Sequence, residues 1–265
     1  MIANVLSIAG TDPTGGAGIQ ADLKTFSALG TYGMSVITAV VAQNTCGVRD
    51  YVPLSPAFVG SQIDAVFDDV RVDAIKIGMV CNAAIAEVVA DRLQQYARCP
   101  VILDPVMVAK SGDHLLNSDA IDTIKNRLVP ISTLITPNLP EAGLLLGRGV
   151  PYSMDGMYGA LTPLSLLGAS WVLLKGGHLT GSNSVDLLHR NGRTFELRAK
   201  RVATNNVHGA GCTLSAAIAA LLPHDRMIKS AGKAKAYLNG ALQAADRLAV
   251  GHGHGPVHHF YAQWP

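Results

Sequence analysis

Short apolar runs alternate along this chain with longer stretches whose apolar positions recur at helical spacing. Residues 5–9 read as a first strand, and Ile19, Leu23, Phe26 and Leu29 form one helical stripe that opens behind glycines at 15, 16 and 18 and stops at Gly30. Residues 34–42, rich in β-branched side chains, read as one strand. Phe58, Ile63, Val66 and Phe67 place a helix over 56–67, followed by a strand at 74–77, a helix over 83–96 and a strand at 101–103. The alternation continues with a helix over 119–128, a short strand at 134–136, a helix over 139–146 and a strand at 171–174. Segments 185–189 and 194–197 straddle Asn191-Gly192, a strong hairpin signal. Helices over 213–222 and 227–250 follow. No linker or repeat interrupts the pattern, so a single domain over 1–265 is expected; the loosest stretch, 147–156, is too short to divide it.

Alternating β and α segments imply an α/β fold with a mainly parallel sheet covered by helices on both faces, and an antiparallel piece near one edge. Such a sheet holds its ligand at the carboxyl ends of its strands. The residues there are polar and glycine-rich: Gly10-Thr-Asp12, Gln43-Asn44, Gly78-Met79, Asp104-Pro-Val106, Thr136-Pro-Asn138 and Lys175-Gly-Gly177.

Composition narrows the function. The 265 residues are 49% hydrophobic and only 15% charged, with a net charge of +2, which provides no electrostatic footprint for nucleic acid or an anionic membrane. Any anion must be held locally by backbone donors and a few placed cations. Cys46, Cys81 and Cys99 read as reduced, packed thiols of a cytoplasmic protein, since no CxxC pair or zinc spacing is present. No apolar run reaches the roughly 20 residues of a membrane span.

Two glycine-rich segments carry the chemistry. Gly10-Thr-Asp-Pro-Thr-Gly-Gly-Ala-Gly18 is not a Walker A loop, because Gly16 stands where the lysine belongs, and the acidic residue of a dinucleotide site is missing at Gln43-Asn44. A tight βα turn and a loop that lets substrate approach the backbone both fit it. In Asn205-Asn-Val-His-Gly-Ala-Gly-Cys-Thr213, glycines precede a helix of small residues, so first-turn N–H groups can converge on a phosphoryl group in flight. Cys212 at that helix end is expected to have a depressed pKa and to accept a proton; a plain turn with an inert cysteine is the alternative. Asp104 and Glu141 offer hard oxygens for magnesium, and Lys175 a point charge for nucleotide phosphates. A helix cap, a first-turn carboxylate and an edge lysine are their structural alternatives. The histidines of Gly251-His-Gly-His-Gly-Pro-Val-His-His259 invite a metal, but the glycines leave them loose, and a C-terminal turn is the expected role.

In order along nearly the whole chain, these segments resemble the hydroxymethylpyrimidine/phosphomethylpyrimidine kinases, ribokinase-like enzymes of thiamine biosynthesis. The resemblance rests on 9–24, Val41-Ala-Gln-Asn44, Lys76-Ile-Gly-Met79, Asp104-Pro-Val-Met107, Lys110-Ser-Gly112, Thr136-Pro-Asn-Leu-Pro-Glu141, Leu174-Lys-Gly-Gly-His178, 208–213 and 251–258. It implies a three-layer ribokinase-like αβα fold, ATP with Mg2+, and a homodimer. Gln43 would read the aminopyrimidine edge, surrounded by Gly10, Ala17, Asp22, Val41, Met79 and Val106. Gly209, Ala210, Gly211 and Cys212 would form the phosphoryl-transfer loop with Cys212 as base. Asp104 and Glu141 would organise magnesium, with Lys175, Asn138 and Thr213 beside the nucleotide. Related sugar kinases usually carry Asp where Cys212 stands, and the pyrimidine kinases more often have Thr in place of Ala210. Pyridoxal or pyridoxine kinase, and a non-catalytic pyrimidine sensor, are the rival readings.

Overall fold

The computed structural model describes residues 1–107 and 118–264; Lys110-Ser-Gly112 lies outside the described residues. In chain order the elements are β1 (Asn4–Ala9), α1 (Gly18–Ala28), β2 (Tyr32–Ile37), β3 (Ala39–Asn44), β4 (Gly47–Pro53), α2 (Pro56–Asp69), β5 (Ala74–Ile77), α3 (Ala83–Tyr96) and β6 (Val101–Leu103). They continue with α4 (Ser118–Thr123), β7 (Leu134–Ile135), α5 (Leu139–Leu146), α6 (Met154–Ser165), β8 (Trp171–Leu174), β9 (Asn183–Arg190), β10 (Arg193–Lys200), α7 (Ala210–Leu221) and α8 (Met227–Gln243).

Among the described residues, eight strands form one sheet in the order β10-β9-β8-β7-β6-β5-β1-β2. From β8 to β2 neighbouring strands are parallel, whereas β9 and β10 run antiparallel at the edge. Their hairpin turns on Asn191 and Gly192 at φ 49° and 74°, the left-handed pair that a tight two-residue connection needs. Helices α1, α7 and α8 cover one face with Phe26, Leu214, Ile218 and Leu238, while Ile63, Ile85, Leu128, Leu145 and Leu161 pack from the other side. Burial on both faces explains why β6, and β5 apart from Lys76, are apolar runs without alternation. Local chemistry sets the helix starts: the Asn82 side chain accepts from Ile85 N at 2.9 Å, and Asn138 and Glu141 form a reciprocal capping box on α5.

Several expectations are corrected. The strand expected at 34–42 breaks at Thr38. The chain leaves the main sheet there, and β3 pairs instead with β4, an unanticipated strand, in a separate two-stranded ribbon. A register shift between Ala42 and Gln43 bends this ribbon. Helix α6 was not anticipated either. The helix expected to 128 finishes as a π-helical turn over Ile124–Leu128, and α8 ends at Gln243 rather than near 250. Cys46, expected to be packed, is exposed on the β3–β4 turn.

The sheet reverses its order of growth at β1, which has β2 on one side and β5 on the other. Loops leaving β1 and β5 therefore part to opposite sides and open a crevice.

Candidate active site

A cavity of about 860 Å³ occupies the carboxyl ends of the strands. One wall is the loop between β1 and α1, which folds around Asp12. This fully buried carboxylate accepts hydrogen bonds from Thr14 N, Thr14 Oγ1, Gly16 N and Ala17 N at 2.8–3.1 Å, and from His208 Nε2 at 2.8 Å. Burial alone would raise its pKa, but the hydrogen bonds from His208, Gln43 and Thr14 outweigh it and hold the carboxyl well below the ordinary range. Gln43 reaches the cavity from the bend in β3, beside Val41 and facing Gly10 and Met79. A side chain at Gly10 would collide with Met79, so glycine leaves the floor there open.

Opposite lies the N-terminus of α7. Gly209 precedes it at φ 76°, and a side chain at this position would strike the Gly16 carbonyl, so the two glycine loops approach backbone to backbone. No side chain caps the first turn; Ala210 N donates to the Val207 carbonyl at 3.2 Å, which leaves the Gly211 and Cys212 N–H groups for the cavity. Cys212 sits in that turn, and the Gly18 N–H points at its sulfur.

Charge gathers behind this turn. Lys76 and Asp22, both without exposure to solvent, pair at 2.8 Å, and Ser7 donates to Asp22 at 2.5 Å. Asp104 accepts from Lys175 Nζ at 2.8 Å, Thr136 at 3.0 Å and Ser215 at 3.2 Å. Burial works against ionised Asp104, but Lys175 and Lys76 prevail and keep its pKa low. Glu141 lies farther from Lys175, at 4.0 Å, and its Oε2 accepts from Asn138 N. There burial wins over Lys175, Asp104 adds repulsion, and the carboxyl is pushed up to about 7. Burial likewise raises the Cys212 thiol to about 11, against the pull of Lys76. The depressed cysteine pKa expected from the helix end is therefore corrected: loss of hydration outweighs the pull of Lys76 and the Gly18 N–H.

The far end of the cavity is built from β8–β10 and α8. Asp186 accepts from Gly176 N at 2.9 Å and from Lys235 Nζ at 2.6 Å. Arg201 donates to the carbonyls of Gly177 and Gly181, each at 2.9 Å, and to that of Leu179, fastening the loop between β8 and β9.

Gly10, Ala17, Val41, Gln43, Met79 and Val106 line the cavity, as do Asp104, Asn138, Glu141, Lys175 and the turn Gly209, Ala210, Gly211 and Cys212. Two anticipated residues are elsewhere. Asp22 is not on the cavity wall but beneath it, neutralising Lys76. Thr213, expected near a nucleotide, faces inward and meets the His259 ring at 3.0 Å. Lys76, Asp12, His208, Asp186 and Lys235 were missed as site residues. Lys76 and Asp186 had a signal, since each interrupts an apolar strand with a charge. Asp12 and His208 lie in the two glycine-rich segments singled out from the sequence, but their pairing, which spans 196 positions, had no local signal.

The fold and this arrangement define a ribokinase-like phosphotransferase, with a helix N-terminus and buried lysines facing one end of a small-molecule cavity. Residues 12–258 match the phosphomethylpyrimidine kinase family, and the chain belongs to it. It is 54% identical to hydroxymethylpyrimidine/phosphomethylpyrimidine kinase of Salmonella typhimurium over 98% of each chain. With the enzyme of the same name from Escherichia coli, identity is 53% over 98% of each. Among solved structures, phosphomethylpyrimidine kinase from Clostridium difficile matches at TM-score 0.80 and 40% identity, over 91% of this chain and all but 1% of that one (99%). The ADP complex of Bacillus subtilis pyridoxal kinase superposes at TM-score 0.93 with 32% identity over 100% of both chains.

The raised pKa of Glu141 has a thermodynamic consequence. A carboxyl that binds its proton more tightly when folded stabilises the fold below its unfolded value, about 4.5, and loses that contribution as pH climbs through about 7. Urea unfolding across this window is expected to show the wild type losing stability relative to Glu141→Gln, with the gap constant above pH 7. Parallel curves for the two proteins would show that Glu141 titrates normally.

Proposed function

We infer that residues 1–265 act as one kinase domain that uses ATP and magnesium to phosphorylate 4-amino-5-hydroxymethyl-2-methylpyrimidine to its monophosphate and then to its diphosphate, in the cytoplasm. What supports this most directly is that Gln43 and the first turn of α7 line the same cavity. A side-chain amide both donates and accepts, which suits the amino group and ring nitrogen of an aminopyrimidine. The N–H groups of Gly211 and Cys212 suit the equatorial oxygens of the transferring phosphoryl group.

The charged residues divide the remaining work. Lys175, held by Asp104, neutralises phosphate oxygens beside Gly211, where the absence of a side chain leaves the ammonium accessible. Asp104 and Glu141 fit magnesium, which takes about one or two carboxylates and keeps several waters. Asp104 already accepts from three protein donors, so contact through water suits it best. When bound, magnesium would neutralise charge on the nucleotide phosphates. The Asp186–Lys235 pair and the loop fastened by Arg201 shape the nucleotide end.

Cys212 handles the proton of the first step. A hydroxymethyl group must lose its proton as it attacks, whereas the monophosphate accepted in the second step is already anionic. With the thiol at about 11, little thiolate exists at neutral pH, and Lys76 is the cation that favours it.

A homodimer is supported by the β3–β4 ribbon. Val40 and Val52 pair across it and are 53% and 63% exposed, an apolar face suited to a second copy. A monomeric mass by light scattering would dismiss it.

ATP consumption with hydroxymethylpyrimidine, its monophosphate and pyridoxal tests the whole reading. Turnover of both pyrimidines is expected; tight pyrimidine binding without ATP consumption would instead restore the sensor. In single-turnover assays Cys212→Ala should slow the first phosphorylation about 10²–10⁴-fold and the second far less. The wild-type first step should also accelerate roughly tenfold per pH unit below the thiol pKa of about 11, as thiolate grows. Equal loss in both steps, with no difference in pH slope, would remove Cys212 as the base. Gln43→Ala is expected to raise the pyrimidine KM by tenfold or more, about 1.4 kcal/mol of lost recognition, while the ATP KM stays near wild type. An unchanged pyrimidine KM would take ring recognition away from Gln43.

A further inference from the structure

A kinase built from two loops must hold the acceptor on one loop at a fixed distance from the phosphoryl donor on the other. In this chain the two loops are far apart in sequence, yet they meet at a single carboxylate. Four of the contacts to Asp12 come from its own loop, at Thr14, Gly16 and Ala17, and close that loop into a fixed shape. Gln43 adds a hydrogen bond from β3, and the contact from the other loop is His208 Nε2, one residue before the glycine that introduces the anion-binding turn of α7. An ionised carboxylate only accepts hydrogen bonds, so Nε2 carries the proton and donates.

The backbone of the C-terminal segment presses the pair together. Gly16 has no room for a side chain because the His208 ring and Pro256 both stand against it. His208 N donates to the Gly255 carbonyl at 3.0 Å, and residues 208 and 256 form a parallel bridge. The same segment reaches the turn after Gln43, since His254 N donates to the Thr45 carbonyl at 2.8 Å and Gly253 N to Thr45 Oγ1 at 3.2 Å. Side chains at Gly253 and Gly255 would collide with Thr45 and Asn206. The repeating glycines of Gly251-His-Gly-His-Gly-Pro256 thus let one strand of backbone lie directly against both loops.

We propose that the Asp12–His208 hydrogen bond, backed by residues 251–256, is a positioning latch that fixes the acceptor loop against the phosphoryl-transfer turn. Neither residue acts on the reacting atoms; each acts through the loop it holds. The latch rests on the kinase reading above for its consequence in catalysis, but not for its existence as a contact. A misplacement of about 1 Å between reacting groups costs on the order of 10²-fold in rate. Releasing the latch should therefore lower kcat more than it raises either KM.

Four variants test it. His208→Ala is expected to lose about 10²-fold in kcat, with pyrimidine and ATP KM within a few-fold of wild type. His208→Gln restores an N–H donor for Asp12 and should recover most of that loss. Because the two residues form one device, the double variant Asp12→Asn/His208→Ala should be scarcely slower than Asp12→Asn alone. Hydrogen exchange at Gly16 and Ala17, whose amides donate to Asp12, provides a readout that requires no turnover; it should quicken in His208→Ala and return toward wild type in His208→Gln. Unchanged exchange in His208→Ala would overturn the latch whatever the substrate proves to be. So would a Gln variant no better than the Ala variant, or losses that multiply independently in the double variant. A wild-type protein that phosphorylates neither pyrimidine would instead refute the kinase reading, leaving exchange to decide the latch.

Discussion

The structure depends on keeping ionised lysines inside a dry parallel sheet. Lys76 lies in a strand flanked by Ile75 and Ile77, with no contact with water. An unpaired ammonium there would lose its proton, because desolvation favours the neutral amine. Asp22 prevents that. Its carboxylate holds Lys76 above the ordinary lysine range despite burial, and Asp104 does the same for Lys175. These ion pairs add little net stability, since desolvating both partners offsets much of their attraction. Their effect is to place fixed positive charge at the strand ends, behind the first turn of α7.

That field explains why neighbouring groups differ so widely. Asp104, in direct contact with Lys175, stays ionised, whereas Glu141 at 4.0 Å is pushed up to about 7. Cys212 is close enough to Lys76 to be pulled down and buried enough to be pushed up, and burial prevails. An incoming polyphosphate would meet preset cations and uncapped amides that need no rearrangement, the condition under which electrostatic stabilisation is most effective. The glycine-to-glycine contact at 16 and 209 brings the two loops together backbone to backbone, and it is available only to residues without side chains.

What was legible in the sequence follows from how local each determinant is. The β9–β10 hairpin was visible because Asn191-Gly192 encodes its own turn, and α3 and α5 because cap and stripe lie within one segment. The departure of β3 from the sheet was not visible: β-branched residues favour extended backbone without specifying a partner, and contacts distant in sequence, such as those of Thr38 to Ala9 and Met79, turn the chain. Helix α6 was hidden by Gly156, Gly159 and Pro163, which dilute the helical pattern, although Met157, Ala160, Leu161 and Leu164 still form its buried face. Within the site, residues at strand ends were found because topology makes that position meaningful. Asp22 was assigned to the wrong surface because a helix stripe does not reveal that the strand beneath it carries a lysine. The cysteine pKa was misjudged because a helix end is visible in sequence and burial is not.

Substrate identity is a different matter from fold, and the relatives illustrate why. Superposition on a pyridoxal kinase at TM-score 0.93 is closer than on a pyrimidine kinase at 0.80, yet the identities run the other way, 32% against 40%. Overall superposition reports the scaffold, which supports many chemistries; discrimination resides in the few side chains that touch the ring. In the reading proposed above the ring would meet Gln43, Val41 and Met79, and Gln43 projects from a two-stranded ribbon outside the main sheet. The groups proposed to meet the phosphoryl group, Lys175 and the α7 turn, belong to that sheet and its helices. A hydroxymethyl group on either ring presents the same nucleophile to the same turn. Substrate choice can therefore change by altering the ribbon, while the buried lysines and the α7 turn remain under the constraint of keeping charge paired.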